Sequence, residues 1–264
     1  MPRPHLTADT ESGVFDFRHV HGFTTQYVET FYAGQPPTDD ERAVLGFLHR
    51  HVHRLQGRPR LLEVGCGPTV HHVFPFLGAV SAIDMADYLP ENLEEVRRWR
   101  ERRADAYGWR QYAALQANLH GDGTDAAIEA LETEARASID RLLHCDLKRR
   151  PILTDGARYD AVSAFYCTEE VGITVQRWEE VMANLCDAVQ PGGHLFLACL
   201  RETDFYLVGD TRYPCATITE HDVRRVLPAL GFDPAASVVE AVTIESQGDS
   251  GVVGVVLAAA RKRS

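Results

Sequence analysis

The stretch Glu63-Val64-Gly65-Cys66-Gly67-Pro68-Thr69 decides the fold of this chain. It begins inside the short apolar run at residues 60–64, and an apolar run that ends in a glycine turn is typical of a buried parallel strand. Gly65 and Gly67 have no side chains, so the backbone of this turn can come close to a bound molecule. The stretch therefore predicts a ligand site at the end of a central strand.

Acidic residues follow the glycine turn after about 20 residues, near the end of the next predicted strand. Asp84 and Asp87 are the two candidates. A carboxylate at that place can accept hydrogen bonds from both hydroxyls of a ribose. A dinucleotide site would favour a third glycine where this chain has Val70, and Pro68 lacks an amide donor that a pyrophosphate would use. The pattern therefore favours a nucleoside without phosphates.

Strands and helices alternate along the rest of the chain, which is typical of a doubly wound α/β sheet. Strands are predicted over residues 60–65, 80–85, 159–166, 194–200, 237–246 and 252–260, and helices over residues 89–107, 121–137, 177–189 and 221–230. Only five residues, 247–251, separate the last two strands. A connection that short predicts a hairpin, so the sheet should end in an antiparallel pair.

The first 58 residues are predicted to form a helical cap on one Rossmann-like unit over residues 59–264. Phe23, Tyr27 and Phe31 are spaced four apart, so one helix would carry them on a single face. These aromatic side chains could close over a ligand or could simply pack the helix onto the sheet. A second helix is predicted over residues 39–55, and Thr38 with Glu41 would form a capping box at its start.

The composition excludes some classes of partner. The chain has 264 residues, with 27 Lys and Arg against 38 Asp and Glu, which gives a formal net charge of −11. Nucleic acids and anionic membranes both require a basic surface, so neither is expected as a partner. No apolar run is long enough to cross a bilayer, and the six cysteines contain no Cys-x-x-Cys pair. We expect a cytoplasmic protein with reduced thiols, and a monomer.

A glutamate before the Gly-x-Gly turn, with an acid downstream, is the site pattern of S-adenosylmethionine (SAM)-dependent methyltransferases. Several further motifs narrow the resemblance. They are Gly65-Cys66-Gly67-Pro68-Thr69, Asp87-Tyr88 followed by Asn92, Cys145-Asp146-Leu147, Ser163-Ala164-Phe165, Pro191-Gly192-Gly193 and Phe205-Tyr206. Together they resemble the family of nicotinamide, phenylethanolamine and indolethylamine N-methyltransferases, over residues 23–260. Within this family, the chain resembles a bacterial relative rather than one of the named enzymes.

The resemblance implies that SAM is the cofactor, and it assigns residues to each part of that molecule. The aromatic lid would be Tyr27 and Tyr32. The methionine part would lie against Gly65, Cys66, Gly67 and Thr69, and the sulfonium against Ala164 and Phe165. The ribose and adenine would contact Asp87, Tyr88, Asn92, Asp146 and Leu147. Asp87 is preferred to Asp84 because Tyr88 and Asn92 then fall into the family spacing.

The resemblance also implies a small-molecule acceptor, most simply an amine, whose proton a nearby carboxylate would take. Glu169 or Glu170 and Tyr206 would be catalytic. The choice between the two glutamates stays open because this segment has one extra residue, at Tyr166. The acceptor would also contact Phe31, Tyr166, Glu202 and Asp249, with Asp204 as a further candidate acid. Cys199 stands where the nicotinamide enzyme has an aspartate, which argues against nicotinamide.

Other interpretations of the same residues remain open. The cofactor could serve C- or O-methylation, or an intramolecular cyclisation that releases methylthioadenosine, or the protein could bind the cofactor without catalysis. Cys66 is interpreted as a small residue tolerated beside the cofactor, because no base is paired with it. His71 and His72 are adjacent in the sequence and are expected to point apart, so no metal site is predicted.

Overall fold

A seven-stranded sheet forms the centre of the protein, in a computed structural model that describes residues 12–17, 20, 22–244 and 252–264. Its strands are β1 (Arg60–Val64), β2 (Ala82–Asp87), β3 (Ile139–His144), β4 (Tyr159–Phe165), β5 (Val189–Leu200), β8 (Val238–Thr243) and β9 (Gly254–Arg261). A separate ribbon consists of β6 (Phe205–Val208) and β7 (Thr211–Pro214).

The strand order is β3-β2-β1-β4-β5-β9-β8, and β9 runs antiparallel to both of its neighbours while the other pairs are parallel. The predicted doubly wound α/β sheet with an antiparallel end is therefore confirmed. The residues at the turn between β8 and β9, 245–251, lie outside the described part of the chain.

Helices cover both faces of this sheet. They are α1 (Phe23–Phe31), α2 (Asp39–His51), α3 (Pro90–Arg100), α4 (Arg110–Leu119), α5 (Asp125–Ser138), α6 (Thr168–Val171), α7 (Val175–Asp187) and α8 (Glu220–Ala229). Successive strand residues point to opposite faces, so Leu61 packs with α2 to α5 while Leu62 packs with α7 and α8. Within the described residues, no helix is long and apolar enough to cross a bilayer.

The observed elements differ from the predicted ones in several places, of which three matter most. The helix predicted to reach residue 107 ends at Arg100, and Arg102 then adopts a left-handed φ of 58°. A separate helix, α4, follows. The strand β3 was not predicted because only its first residue is buried, as expected of an edge strand. The ribbon of β6 and β7 was also not predicted.

The predicted capping box at the start of α2 is wrong. Thr38 precedes the helix, but its side chain makes no cap hydrogen bond. The reason is the environment of Glu41, whose carboxylate turns inward and accepts hydrogen bonds from Tyr32 and His71 instead of from the helix start. A complete capping box exists elsewhere, between Thr219 and Asp222 at α8.

Candidate active site

A cavity opens where the carboxyl ends of β1, β2, β3 and β4 meet, and we refer to it as the glycine-loop cavity. The strand order reverses between β1 and β4, and ligands of open α/β sheets bind outside such a switch point. The lining includes every residue that the sequence assigned to the cofactor except Ala164, namely Tyr27, Tyr32, Gly65, Cys66, Gly67, Thr69, Asp87, Tyr88, Asn92, Asp146, Leu147 and Phe165. Ala164 is fully buried within β4 and does not reach the cavity.

The glycine turn requires its two glycines for different reasons. Gly65 has a φ of 65°, and a Cβ added there would lie 2.5 Å from the Cβ of Cys167. Gly67 has a φ of 59° but its Cβ would meet only Thr69, at 3.9 Å. The amides of Gly65 and Cys66 both donate to the carbonyl of Ala86, which fixes the turn against β2. The backbone therefore forms the floor of the cavity.

Asp87 is the acid that the structure brings into the cavity. Its carboxylate accepts hydrogen bonds from the amides of Gly67 at 2.8 Å and Leu89 at 2.8 Å, and from Asn92 Nδ2 at 3.0 Å. Burial raises the pKa of Asp87 above its ordinary value, against the effect of these donors. The residue is a fixed, buried acceptor at the tip of β2, as a ribose site needs.

Asp84, the other candidate for the ribose acceptor, is instead held by ion pairs and a hydrogen bond within the protein. Its carboxylate is within 2.6 Å of Arg60 and 2.7 Å of Arg141, and the hydroxyl of Tyr159 donates to it at 2.8 Å. Burial acts to raise the pKa of Asp84, but these donors hold it well below the usual range. Asp84 does not line the glycine-loop cavity, so the preference for Asp87 agrees with the geometry.

The end of the glycine-loop cavity beside Tyr88 and Asp146 would hold the adenine base. The ring of Tyr88 carries the ammonium of Lys148 at 4.5 Å from its centroid, and Lys148 also lies 3.6 Å from Asp16. Asp146 accepts a hydrogen bond from the amide of Lys148 at 2.9 Å. The sequence did not single out Lys148, although it directly follows the Asp146-Leu147 motif.

Two segments of the N-terminal region cover the cavity. On α1, the hydroxyl of Thr24 donates to Asn92 Oδ1 at 2.7 Å, which connects the predicted lid to Asp87 through Asn92. Before α1, Phe15 and Phe17 also line the cavity, and the amide of Phe15 donates to the carbonyl of Val171 at 3.0 Å. The covering contribution of Phe15 and Phe17 was not predicted.

Thr69 differs in detail from the expectation. Its hydroxyl lines the cavity but donates to the carbonyl of Cys66 at 2.8 Å. In this arrangement the hydroxyl offers only lone pairs, so it would have to rotate to donate to a carboxylate. Burial raises the pKa of the Cys66 thiol well above its usual value, which keeps the thiol protonated and agrees with its interpretation as a small, unreactive neighbour.

A second cavity adjoins the first, and we refer to it as the aromatic cavity. Tyr27, Tyr32, Tyr166 and Glu170 line both cavities and form the passage between them. Residues that line the aromatic cavity alone include Phe31, Asp40, Glu41, Leu200 and Tyr206. Among the described residues that line it there is no Lys, Arg or His. The cavity therefore combines aromatic rings with acidic groups in its wall.

The two neighbouring glutamates of α6 have different environments. Glu170 faces the passage between the cavities, and burial together with Glu169 raises its pKa well above the usual value. Glu169 points away, because its carboxylate accepts a hydrogen bond from the amide of Leu200 at 2.7 Å and another from Thr168 at 3.1 Å. Burial raises the pKa of Glu169 to about 7. Of the two predicted catalytic acids, only Glu170 lines the cavities.

A sharp backbone turn precedes the two glutamates. Tyr166 has a left-handed φ of 54°, so the chain turns sharply between β4 and α6. Its ring then lies in the passage between the cavities rather than in the core.

Two other predicted acceptor residues, Glu202 and Asp204, do not line the aromatic cavity. Glu202 pairs with Arg201, and nearly half of its side chain is exposed. Asp204 lies 3.5 Å from Arg212 on the surface. Cys199 is buried beside Thr168, at 3.4 Å. Asp249 falls among residues 245–251, outside the described part of the chain.

His71 and His72 do not point apart as expected. Both rings turn toward Glu41, whose Oε2 lies 2.6 Å from His71 Nε2 and 3.6 Å from His72 Nε2, while His72 Nδ1 lies 3.6 Å from Glu63. The short 3₁₀ helix at residues 71–76 allows this convergence. Burial acts to lower the pKa of His72, but the two carboxylates raise it to about 9. Within the described chain, Glu41, His71 and His72 form the group whose donor atoms come closest to a metal-binding arrangement, within 4.8 Å of one another.

Comparison with known proteins places these features in a family. The model of the NNMT/PNMT/TEMT family matches residues 16–263. The chain belongs to this family. The NNMT/PNMT/TEMT match covers the glycine turn, Asp87, the segment around Glu170 and both predicted lid tyrosines. The chain is thus a SAM-dependent methyltransferase.

Individual relatives of this methyltransferase are distant. It is 25% identical over 223 residues to rabbit indolethylamine N-methyltransferase, covering 81% of this chain and 83% of the rabbit enzyme. It is 27% identical over 176 residues to human phenylethanolamine N-methyltransferase, covering 65% of this chain and 62% of the human enzyme. The second match therefore spans less than two thirds of that enzyme.

Solved structures support the fold. The magnesium protoporphyrin IX methyltransferase of Synechocystis, with bound SAM, superposes with a TM-score of 0.55 at 14% identity, covering 94% of each chain. A Bradyrhizobium japonicum N-methyltransferase in complex with S-adenosylhomocysteine (SAH) gives a TM-score of 0.50 at 14% identity, covering 91% of this chain and 99% of that one. The glycine floor, the buried Asp87 and the Tyr88 ring fit the nucleoside and amino-acid parts of the SAM cofactor.

Some residues of the site had no usable signal in the sequence. Asp40 and Glu41 were noted only as part of the start of α2, where acidic residues are common. His72 was considered only as a metal ligand. Their positions in the cavity walls follow from the way α2 and the 3₁₀ helix pack together, which spacing along the chain does not reveal.

Proposed function

We propose that this methyltransferase transfers the methyl group of SAM to the nitrogen of a small amine or N-heterocycle. The observation that carries the proposal is Glu170, a partly buried carboxylate that lines both cavities. The N-methyltransferase names of the most similar relatives support the same reaction class.

The protein's own residues have three tasks in this reaction. Asp87 and the glycine turn hold the cofactor, which supplies an electrophilic methyl group on a sulfonium when bound. Tyr27 and Tyr32 line both cavities with ring centroids 5.9 Å apart, and these rings would exclude water from the passage. Tyr166 narrows the same passage and restricts the direction from which an acceptor approaches.

Glu170 would control the protonation of the acceptor. An ammonium has no lone pair and cannot attack, so its proton must leave before transfer. The pKa of Glu170 is raised, so its proton affinity is closer to that of an amine than the proton affinity of an exposed glutamate is. Glu170 therefore attracts the ammonium and accepts its proton, directly or through one water molecule.

The test compares Glu170→Gln with Glu180→Gln, which removes an exposed glutamate on α7. Formation of SAH is measured by mass spectrometry with a panel of small amines. General-base catalysis contributes about 10²–10⁴-fold, so we expect kcat/KM to fall by about 100-fold in Glu170→Gln and to stay unchanged in the control. The affinity for SAH should be the same in all three proteins.

Two results would contradict the proposal. Methylthioadenosine in place of SAH would indicate cyclisation of the cofactor. Full activity of Glu170→Gln on the amines would show that this carboxylate does not handle the acceptor.

A further inference from the structure

Glu41, His71 and His72 direct their donor atoms toward one another, and we refer to these three residues as the two-histidine site. Oε2 of Glu41 lies 2.6 Å from Nε2 of His71 and 3.6 Å from Nε2 of His72, and ligand atoms of all three residues lie within 4.8 Å of one another. Each residue is at most 4% exposed. A transition-metal ion binds nitrogen and oxygen at about 2.0–2.2 Å, which places its ligand atoms about 3.0–3.6 Å apart. Small side-chain movements would therefore bring the three atoms around one ion.

The surroundings of His72 are those of a metal-binding histidine. Its Nε2 faces Glu41, and its Nδ1 lies 3.6 Å from Oε1 of Glu63 on β1. Among the described residues, neither Nε2 of His72 nor either carboxylate oxygen of Glu63 has a hydrogen-bond partner, although Glu63 is only 1% exposed. A histidine that binds a metal through one ring nitrogen usually directs the other toward a carboxylate or a carbonyl. His72 already has this orientation.

The other two side chains of the two-histidine site are also held in place. The hydroxyl of Tyr32 donates to Oε1 of Glu41 at 3.2 Å, which leaves Oε2 directed at the histidines. The ring of His71 stacks on Trp109, with centroids 5.1 Å apart and an angle of 14° between the planes. Contacts outside the site thus fix the directions of its donor atoms, and such fixation is what metal affinity depends on.

The charges around the site favour a dication. Glu41 and Glu63 are two buried carboxylates, and one imidazolium between them can balance only one negative charge. A divalent ion balances both charges and takes the place of that proton, because a ligating imidazole is neutral. An ion also has a path to the site, since His72 lines the glycine-loop cavity and Glu41 lines the aromatic cavity.

We propose that Glu41, His71 and His72 bind one divalent transition-metal ion of the zinc type. Two imidazoles and one carboxylate suit Zn²⁺, Co²⁺ or Ni²⁺, whereas Mg²⁺ and Ca²⁺ prefer sets of oxygen ligands. The ion joins α2 to the 3₁₀ helix at residues 71–76, and it thereby stabilises the walls of both cavities. The proposal does not depend on which acceptor is methylated, because it involves neither Asp87 nor Glu170.

The experiment uses the full chain after treatment with a chelator. Zn²⁺, Co²⁺ and Mg²⁺ are titrated separately by calorimetry, visible absorption reports the coordination of Co²⁺, and thermal unfolding is followed with and without Zn²⁺. The variants are Glu41→Gln and His72→Gln. Their controls are Glu180→Gln and His221→Gln, which change exposed residues of the same types.

We expect the wild type to bind one Zn²⁺ per chain and to melt about 5 °C higher when free Zn²⁺ is 100 times its dissociation constant. Co²⁺ should give an absorption band of a histidine-bound ion, and Mg²⁺ should not bind measurably. Glu41→Gln and His72→Gln should weaken Zn²⁺ binding by at least about 100-fold and abolish the Co²⁺ band, because each removes a ligand. Both controls should behave like the wild type.

Absence of saturable Zn²⁺ binding to the wild type would overturn the proposal without any variant, so the test does not depend on whether the variants fold. Zn²⁺ affinity that is unchanged in Glu41→Gln and His72→Gln would also overturn it, because the ion would then bind elsewhere on the surface. Mg²⁺ binding as tight as that of Zn²⁺ would contradict the assigned class of ion. Methyl transfer to amines by the chelated protein is assayed separately, so the proposed function stands or falls on its own result.

Discussion

At the scale of single residues, Asp87 shows how one carboxylate can connect several elements around the glycine-loop cavity. It receives two backbone amides and the Asn92 side chain, and through Asn92 it is connected to Thr24 on α1. These contacts fix the carboxylate while leaving it in the cavity wall. The acid therefore links the glycine turn, the end of β2 and the helix that covers the site.

Replacement of Asp87 by Ala should remove most of the cofactor affinity. Two hydrogen bonds from ribose hydroxyls to a charged acceptor contribute about 1.5–3 kcal/mol each, so we expect the SAH dissociation constant to rise by at least about 100-fold. Isothermal titration calorimetry measures the change. Asp160→Asn, which removes an exposed acid from β4, serves as the control. Unchanged affinity in Asp87→Ala would exclude it as the ribose acceptor.

His72 should make the stability of the protein depend on alkaline pH. Its pKa in the folded protein is about 9, against an ordinary value of 6.5, because Glu41 and Glu63 favour the imidazolium. The folded state therefore binds the proton more tightly than the unfolded state. The resulting stabilisation is complete below pH 6.5 and is lost as the pH rises through 9.

The measurement is the free energy of unfolding from pH 6 to pH 10, for the wild type and His72→Gln. We expect the wild type to lose on the order of 3 kcal/mol more than the variant across this range. His221→Gln changes an exposed histidine and should follow the wild-type profile. Parallel curves for the wild type and His72→Gln would contradict the charge assigned to His72.

The two glutamates of α6 mark the limit of prediction at this scale. Sequence motifs identified the acidic pair but could not choose between its members, because adjacent residues on a helix point about 100° apart and one inserted residue exchanges them. The choice depends on the amide of Leu200, which binds Glu169, and on the left-handed turn at Tyr166. Both are tertiary features. The residues assigned to the cofactor had clearer signals in the sequence, because the glycine turn and Asp87 follow directly from strand ends.

At the scale of elements, the glycine turn between β1 and the 3₁₀ helix is where sequence and fold agree most closely. The glycines, Pro68 and the spacing to Asp87 all predicted a ligand site at one edge of the sheet. The carboxyl ends of four strands meet at that edge. The edge strand β3 and the ribbon of β6 and β7 left weaker patterns, since alternation is diluted where a strand is exposed.

Gly65→Ala tests how tightly this turn is built. A methyl group at Gly65 would meet Cys167 at 2.5 Å in a left-handed conformation, whereas one at Gly78, also left-handed with a φ of 77°, would meet nothing within 4 Å. Gly78→Ala therefore isolates the backbone strain, about 1 kcal/mol. We expect Gly65→Ala to be clearly less stable than Gly78→Ala by thermal unfolding and to lose SAH binding. Equal effects of the two substitutions would show that the contact with Cys167 is unimportant.

At the scale of the whole molecule, the net charge of −11 acquires a partial explanation. Many acidic groups have arginine partners, as Asp84 has in Arg60 and Arg141. The aromatic cavity is different, because among the described residues its wall contains carboxylates and no basic side chain. The composition predicts no anionic macromolecular partner, and the acidic wall of this cavity agrees with the amine acceptor that we propose.

The two cavities also explain why the molecule needs its N-terminal region. Residues 12–17 and α1 cover the glycine-loop cavity, while α2 contributes Asp40 to the aromatic cavity. The sequence predicted helices and an aromatic lid here, but the packing of residues 12–17 against α6 depends on backbone contacts with Val171 and Ile173 that no motif encodes. The acceptor site is therefore the part that the sequence described least.

The most direct test of the account follows the methyl group itself. The protein is incubated with SAM that carries a trideuterated methyl group and with the small amine on which it is most active, and the products are analysed by tandem mass spectrometry. We predict that the deuterated methyl group appears on an acceptor nitrogen, with one SAH formed for each methylated product. Label on carbon or oxygen, or release of methylthioadenosine without a labelled acceptor, would contradict N-methyl transfer.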